Sequence, residues 1–292
     1  MMRQDIQSRR KLYLVFMIPA AFLLILFLPF SKSLELKTRD LRFLLRGRSL
    51  QPVPIVIVTI DDASFASLNK RWPWPRTLLA QAVESLISSG AKAIGLDIML
   101  TEEDFTNEGD RALAHILDGS DNIILPMKFG RRIEEEYERD YMDAPLPLFD
   151  PHLSRSVYVI FGFDAEGRFR NIKVNEKCHD SPYFPFFLKL TAAYLNKPIK
   201  INKSGQVMIG QNLLPVMPSG TMKINFTGPA GSFKTVSFHQ VINGYANPSV
   251  FRDKIVLIGA YFKESHDHFL TPFYDNKNPM YGVEIHAHAM TT

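Results

Sequence analysis

Hydrophobic positions are arranged along this chain in three ways, and each predicts a different element. The first is an unbroken run. "LYLVFMIPAAFLLILFLPF", Leu12 to Phe30, carries no charge over 19 residues, enough to cross the hydrocarbon core of a bilayer as a helix. No A-x-A cleavage pattern follows in "FLPFSKSLE", so the run reads as an uncleaved anchor rather than a signal sequence. The second arrangement is helical spacing. "SLELKTRDLRFLLRG" (Ser33 to Gly47) sets Leu34, Leu41, Phe43, Leu44 and Leu45 among charges and predicts a helix continuing from the membrane into the next domain, ended by "QPVP" at Gln51 to Pro54. Behind Pro75, the residues Leu79, Ala82, Val83, Leu86 and Ile87 recur at the same spacing, with Gly90 as the stop.

The third arrangement is the short β-branched or apolar run. "IVIVTI" (Ile55 to Ile60) reads as a strand buried on both faces. With the helix behind Pro75 and the run "AKAIGLDIML" it makes a β-α-β pattern, which predicts a parallel pair. Asp61-Asp62 and Asp97 then fall at strand ends on one sheet edge. Farther on, Asp110 to Leu117 predicts a helix and "NIILPMKF" a strand. "SVYVIFGFDAEGRFRNIKV" predicts two strands around a hairpin turn at Asp164 to Gly167. "PFFLKLTAAYL" and "SFHQVINGY" read as helices, and "GQVMIG", "TMKINFTG" and "KIVLIGAY" as strands. The fold class expected is α/β, a mixed and largely parallel sheet with flanking helices, preceded by one transmembrane helix. The expected division is a cytoplasmic N-terminus at 1–11, the transmembrane helix at 12–30, a juxtamembrane helix at 31–50 and an extracytoplasmic domain at 51–292.

Composition adds bounds to this pattern. The chain is 46% hydrophobic and 22% charged, ordinary for a protein that buries a core. Much of its +4 net charge flanks the apolar run (Arg3, Arg9, Arg10, Lys11, then Lys32, Lys37, Arg39, Arg42, Arg46 and Arg48), which points to a membrane surface rather than to nucleic acid. The Arg9-Arg10-Lys11 cluster abutting the run favours a cytoplasmic N-terminus, although Lys and Arg are as numerous after the run as before it. The expected location is the cell inner membrane, single-pass, with the main domain outside the cytoplasm. The single cysteine, Cys178, forms no intrachain disulfide.

Candidate chemistry is sparse. Ala63 stands where the second aspartate of a phosphatase D-x-D motif belongs, "GPAGSF" (Gly228 to Phe233) lacks the P-loop Lys-Ser/Thr and reads as a turn, and no G-x-S-x-G occurs. His266, Asp267, His268, Glu284, His286 and His288 resemble a metal donor set in composition. His286 and His288 are two apart and diverge on a helix, however, so structural histidines are the plainer reading. Trp72 and Trp74, the only tryptophans, stand in "RWPWPR" as a stiff aromatic clamp ahead of a helix. They read as a packed corner or as part of a ligand cage. Asp61, Asp97 and Asp267 with Arg76 form the expected pocket, which makes Asp61, Trp72, Trp74, Arg76, Asp97, Asp267 and His286 the candidate ligand-binding residues. Capping of helices and turns is the alternative role for the aspartates.

Taken in order, "RDLRFLLRG", "VIVTIDDASF", "RWPWPR", "GAKAIGLDIML", "GPAGSFKTVSF", "KIVLIGAY", "DHFLTPF" and "MYGVEIHAHAM" resemble the CHASE domains of type two, extracellular sensory modules of bacterial cyclases, histidine kinases and serine/threonine kinases. The resemblance runs from about Arg39 to the end of the chain. It implies a non-catalytic sensor in signal transduction, with no cofactor or catalytic residue and an unspecified small-molecule ligand. Members typically continue into further spans and an output domain. This chain ends at Thr292, so it is expected either to be a piece of a longer receptor or to act in trans on a cytoplasmic or membrane partner, a cyclase or kinase. A homodimer is left open. The rival expectation is a metal-dependent hydrolase using Asp61, Asp97, Asp267 and His286.

Overall fold

The computed structural model describes residues 15–22, 29–134, 137–159, 164, 166–178, 181–274 and 279–292. Contacts divide the chain into two units, Met1–Arg46 and Gly47–Thr292. In the first, residues 15–22 are helical and exposed throughout, and helix α1 spans Pro29–Arg46. Among the described residues no helix is long and apolar enough to cross a membrane. Of the expected N-terminus and span, residues 1–14 and 23–28 lie outside the described residues. The helix expected from Ser33 begins earlier and stops at Arg46, before "QPVP", because Gly47 at φ +65° takes the left-handed conformation that closes a helix.

The second unit runs in chain order through β1 (Ile55–Ile60), α2 (Asp62–Leu68), α3 (Arg76–Ser88), β2 (Ala93–Asp97), α4 (Asn107–Asp118), β3 (Ile123–Glu134), β4 (Tyr137–Asp143) and β5 (Ser156–Tyr158). A middle segment follows, with β6 (Asn171–Lys173), β7 (Glu176–Cys178), β8 (Ser181–Tyr183), α5 (Phe186–Leu195), β9 (Ile199–Ile201), β10 (Val207–Ile209), β11 (Asn212–Leu213) and β12 (Thr221–Lys223). The chain then returns through β13 (Lys234–Ser237), α6 (Phe238–Ile242), β14 (Ile255–Ala260), β15 (His268–Phe269), β16 (Met280–Tyr281) and α7 (Gly282–Met290).

β13, β1, β14, β2 and β3 lie side by side in that order and are all parallel. β4 folds back antiparallel on β3, and β5 joins β3 in parallel. The expected α/β class with a largely parallel sheet is therefore the observed one. One detail is corrected: β1 and β2 are not neighbours. β14 enters between them, with Ile57 against Leu257 on one side and Leu257 against Gly95 on the other. The hairpin expected around Asp164 is corrected in a similar way. Its turn forms, with the Gly167 N–H donating to the Asp164 carbonyl at 2.9 Å. The flanking strands pair elsewhere, β5 with β3 and β6 with β12.

Alternation along the central strands decides which helix each residue meets. Val56, Val58, Ile60, Ile94, Leu96, Val256 and Ile258 form one core with Leu79, Val83 and Leu86 of α3, Leu113 and Leu117 of α4, and Phe238 of α6. The opposite face carries α5 and α7. There Gly95 is needed for close approach: a Cβ at that position would stand 2.7 Å from Leu190 and 2.8 Å from Phe186. α3 starts after Pro75 and ends before Gly90, whose φ of +81° fits the expected stop. Truncating any one of these large core side chains to alanine costs roughly 2–5 kcal/mol.

Candidate functional site

Parallel strands bring their C-terminal ends to one edge of the sheet, and the chain leaves each strand there in a loop. Asp97 closes β2. β14 ends at Ala260, and its continuation passes through Phe262 and the 3-10 turn Lys263–Ser265 to reach Asp267. That loop is held by its own polar groups. The Ser265 hydroxyl donates to the Phe262 carbonyl at 2.7 Å and accepts from the Asp267 N–H at 3.3 Å, while His266 takes φ +54° to complete the turn. Between these strand ends lies a cavity of about 570 Å³ walled by Trp72, Asp97, Lys128, Phe262, Asp267 and Phe269, among others. Its size falls in the range of small-molecule sites.

Two carboxyls with different supports face this cavity. Asp267 packs against the first residue of α7: a Cβ on Gly282 would stand 2.6 Å from both of its carboxylate oxygens. The absence of a side chain at Gly282 is what lets the acid settle there. Asp97 is half-buried and makes no side-chain hydrogen bond or ion pair among the described residues. Burial, and then the charge of Asp267, push its carboxyl well above the usual carboxylate range, while Lys128 acts in the opposite direction. Burial also raises Asp267, against the influence of Lys128, Gly282 and His268. Two acids in one partly desolvated space resist double ionisation.

Trp72 and Trp74 have separate roles. Trp74 is 7% exposed and belongs to the core; its indole N–H donates to the Lys70 carbonyl at 3.2 Å and its ring lies 4.9 Å from Phe65 and 5.3 Å from Phe238. Trp72 is 37% exposed, stands edge-on to Trp74 at 5.4 Å and forms cavity wall. The peptide joining Trp72 to Pro73 is cis.

The other expected site residues are elsewhere. Asp61 directly follows β1 on the same edge as Asp97, two strands away, roughly 10 Å at ordinary strand spacing. It does not line the cavity, because it caps α2. Its carboxylate accepts from the Ser64 N–H at 2.9 Å and from the hydroxyls of Ser64, Thr59 and Ser237 at 2.7, 2.8 and 2.6 Å. Despite burial, these donors hold its pKa below the ordinary value. Arg76 is also engaged, by Asp110 and the Glu102 carbonyl, with its guanidinium 5.3 Å from the Phe149 ring centre. It lines a smaller space of about 80 Å³ that shares Trp72 and Pro73 with the main cavity. His286 is 1% exposed in α7, edge-on to Phe186 at 4.9 Å, and therefore cannot touch a ligand in the cavity.

His288 diverges from His286 on the fully buried α7, as the two-residue spacing requires. It stands among Phe226, Phe233 and Thr227, whose N–H donates to its Nδ1 at 3.1 Å. Burial holds both imidazoles down at about 3. Glu284 accepts from the Gly231 N–H at 2.7 Å, which ties the "GPAGSF" turn to α7. Among the described residues no three His, Cys, Asp or Glu side chains are grouped to hold a metal ion, so the hydrolase reading lacks its donor set there. Lys128, Phe262 and Phe269 were not marked as candidates by the sequence. The only signal for Lys128 was a lone cation inside the apolar run "NIILPMKF".

The structure is thus an open, largely parallel α/β sheet with an aromatic and acidic cavity at its C-terminal edge. The chain belongs to the CHASE2 domain family, which matches residues 16–292; this is a family of extracellular sensory domains. No curated protein and no solved structure matches the chain.

Proposed function

We propose that this chain is a membrane-anchored sensor that binds a small molecule in the cavity between Asp97, Lys128 and Asp267, with no chemistry of its own. The observation that carries the reading is Asp97, a half-buried carboxyl without a side-chain partner among the described residues, facing about 570 Å³ of space. Its oxygens open into the cavity and are not taken up by the described residues of the protein, so a ligand that bonds them better than water does gains by the difference. Coupling follows from the packing. A ligand drawing Asp267 toward it acts on Gly282 and thus on α7, whose residues are all buried against the sheet and α5. Two packings of α7 bound unequally by a ligand would make a signal.

In this reading the uncharged segment Leu12–Phe30 anchors the protein in the inner membrane with the sensory domain outside, and a cyclase or kinase receives the signal in trans. The test is equilibrium dialysis of the full chain, reconstituted in lipid nanodiscs, against a mixture of amino acids, amines, sugars and carboxylates, read by mass spectrometry. At least one compound should be retained by the wild type and lost with Asp97→Asn. If the wild type and Asp97→Asn retain every compound equally, or neither retains any, the proposal is overturned.

A further inference from the structure

We infer that the cavity takes a small organic cation, a compound carrying a protonated amine, held between Asp97 and Asp267 with its carbon frame against Trp72, Phe262 and Phe269. This rests on the reading of the cavity as the ligand site and adds the chemical class.

The charged groups around the space come from three elements. Asp97 ends β2, Asp267 follows β14 with His266 and His268 beside it, and Lys128 projects from β3. Among the described residues Lys128 forms no ion pair with either carboxyl; its charge favours the ionised form of both without bonding them. The two acids therefore share a partly desolvated space without a bonded cation, an arrangement that an ammonium group inserted between them relieves. A hydroxyl or carbonyl on the ligand does less, and an added carboxylate meets repulsion from both.

The walls favour the same class. Trp72 offers an indole that is more than a third exposed, Phe262 stands 6.0 Å from it, and Phe269 closes another side. Aromatic faces attract ammonium groups as well as apolar carbon. Acid floor and aromatic wall thus select one kind of molecule. The volume leaves room for a frame of drug-fragment size.

The experiment uses one carbon frame with three charges: phenethylamine, phenethyl alcohol and phenylacetate, titrated calorimetrically into the full chain in nanodiscs at about pH 8, where the amine remains protonated. Calcium chloride is titrated separately. Phenethylamine should bind at least tenfold more tightly than the alcohol, and phenylacetate should not bind. Asp97→Asn should weaken the amine at least tenfold, and Trp72→Leu should weaken it too; retained circular dichroism and melting show that each variant is folded. If the alcohol or the acid binds as well as the amine and Asp97→Asn weakens it, the cavity is a ligand site but the cation assignment is overturned. Calcium binding that depends on Asp97 and displaces the amine assigns the acids to a metal and also overturns it. If no probe binds, or binding is indifferent to both substitutions, the site reading itself fails.

Discussion

Asp267, in the loop that follows β14, and Asp97, at the end of the adjacent parallel strand β2, face one cavity, and the charge of the first makes the second harder to ionise. Burial and this neighbour push the Asp97 carboxyl from 3.8 up to about 8. The folded protein then holds a proton that the unfolded chain has released, so Asp97 costs stability as pH rises from about 4 to about 8. Asp97→Asn should melt at the wild-type temperature near the acid end of that window and progressively above it toward the alkaline end. A constant difference across the window would show that Asp97 titrates normally.

The two tryptophans separate folding from recognition. Trp74→Ala removes a buried ring and should cost roughly 3–5 kcal/mol, measured by urea denaturation. Trp72→Ala, at a site 37% exposed, should cost roughly half of that or less while weakening ligand binding. Equal losses of stability would place both rings in the core.

The histidines of α7 carry an opposite pH dependence. Each is neutral in the fold, held down to about 3, and ordinarily titrates near 6.5. The unfolded chain takes up protons first, so stability falls as pH drops below 6.5, by up to about 1.4 kcal/mol per pH unit for each histidine. His286→Phe should flatten the slope of unfolding free energy between about pH 6 and pH 4. An unchanged slope would assign the acid sensitivity to other groups.

Gly282 is the contact between the cavity and α7. Alanine there favours the helix but would push its Cβ to 2.6 Å from both Asp267 oxygens. Gly282→Ala should therefore weaken phenethylamine binding at least fivefold with little change in melting temperature. Unaltered affinity would mean that Asp267 moves aside at no cost to the site.

Orientation is tested by fusion. A phosphatase reporter joined after Leu100 should be active and a fluorescent protein that matures only in the cytoplasm should stay dark. The reverse pattern would put the domain inside the cell.

Much of this architecture was readable one element at a time, because each signal was local. "IVIVTI" and "KIVLIGAY" became the buried strands β1 and β14, the spacing behind Pro75 became α3, and "SFHQVINGY" contained α6, with Ser237 and Gln240 in a capping box. Parallel direction followed from β-α-β order, and with it the placing of Asp61 and Asp97 on one edge. Strand neighbours were not readable. Nothing near β1 or β2 says that a strand about 200 residues after β1 will lie between them, since pairing is chosen by the whole core rather than by either run. The same limit governs the site. The sequence by itself determined that acids and tryptophans collect at the strand ends. Only the tertiary structure decided that Ser64, Thr59 and Ser237 consume Asp61 as a cap, that Asp110 takes Arg76, and that Asp97 is left facing open space beside Asp267. The Thr59 and Ser64 bonds are local and the capping role was open to the sequence, but Ser237 and Asp110 arrive from 176 and 34 residues away, and distance along the chain carries no record of such meetings.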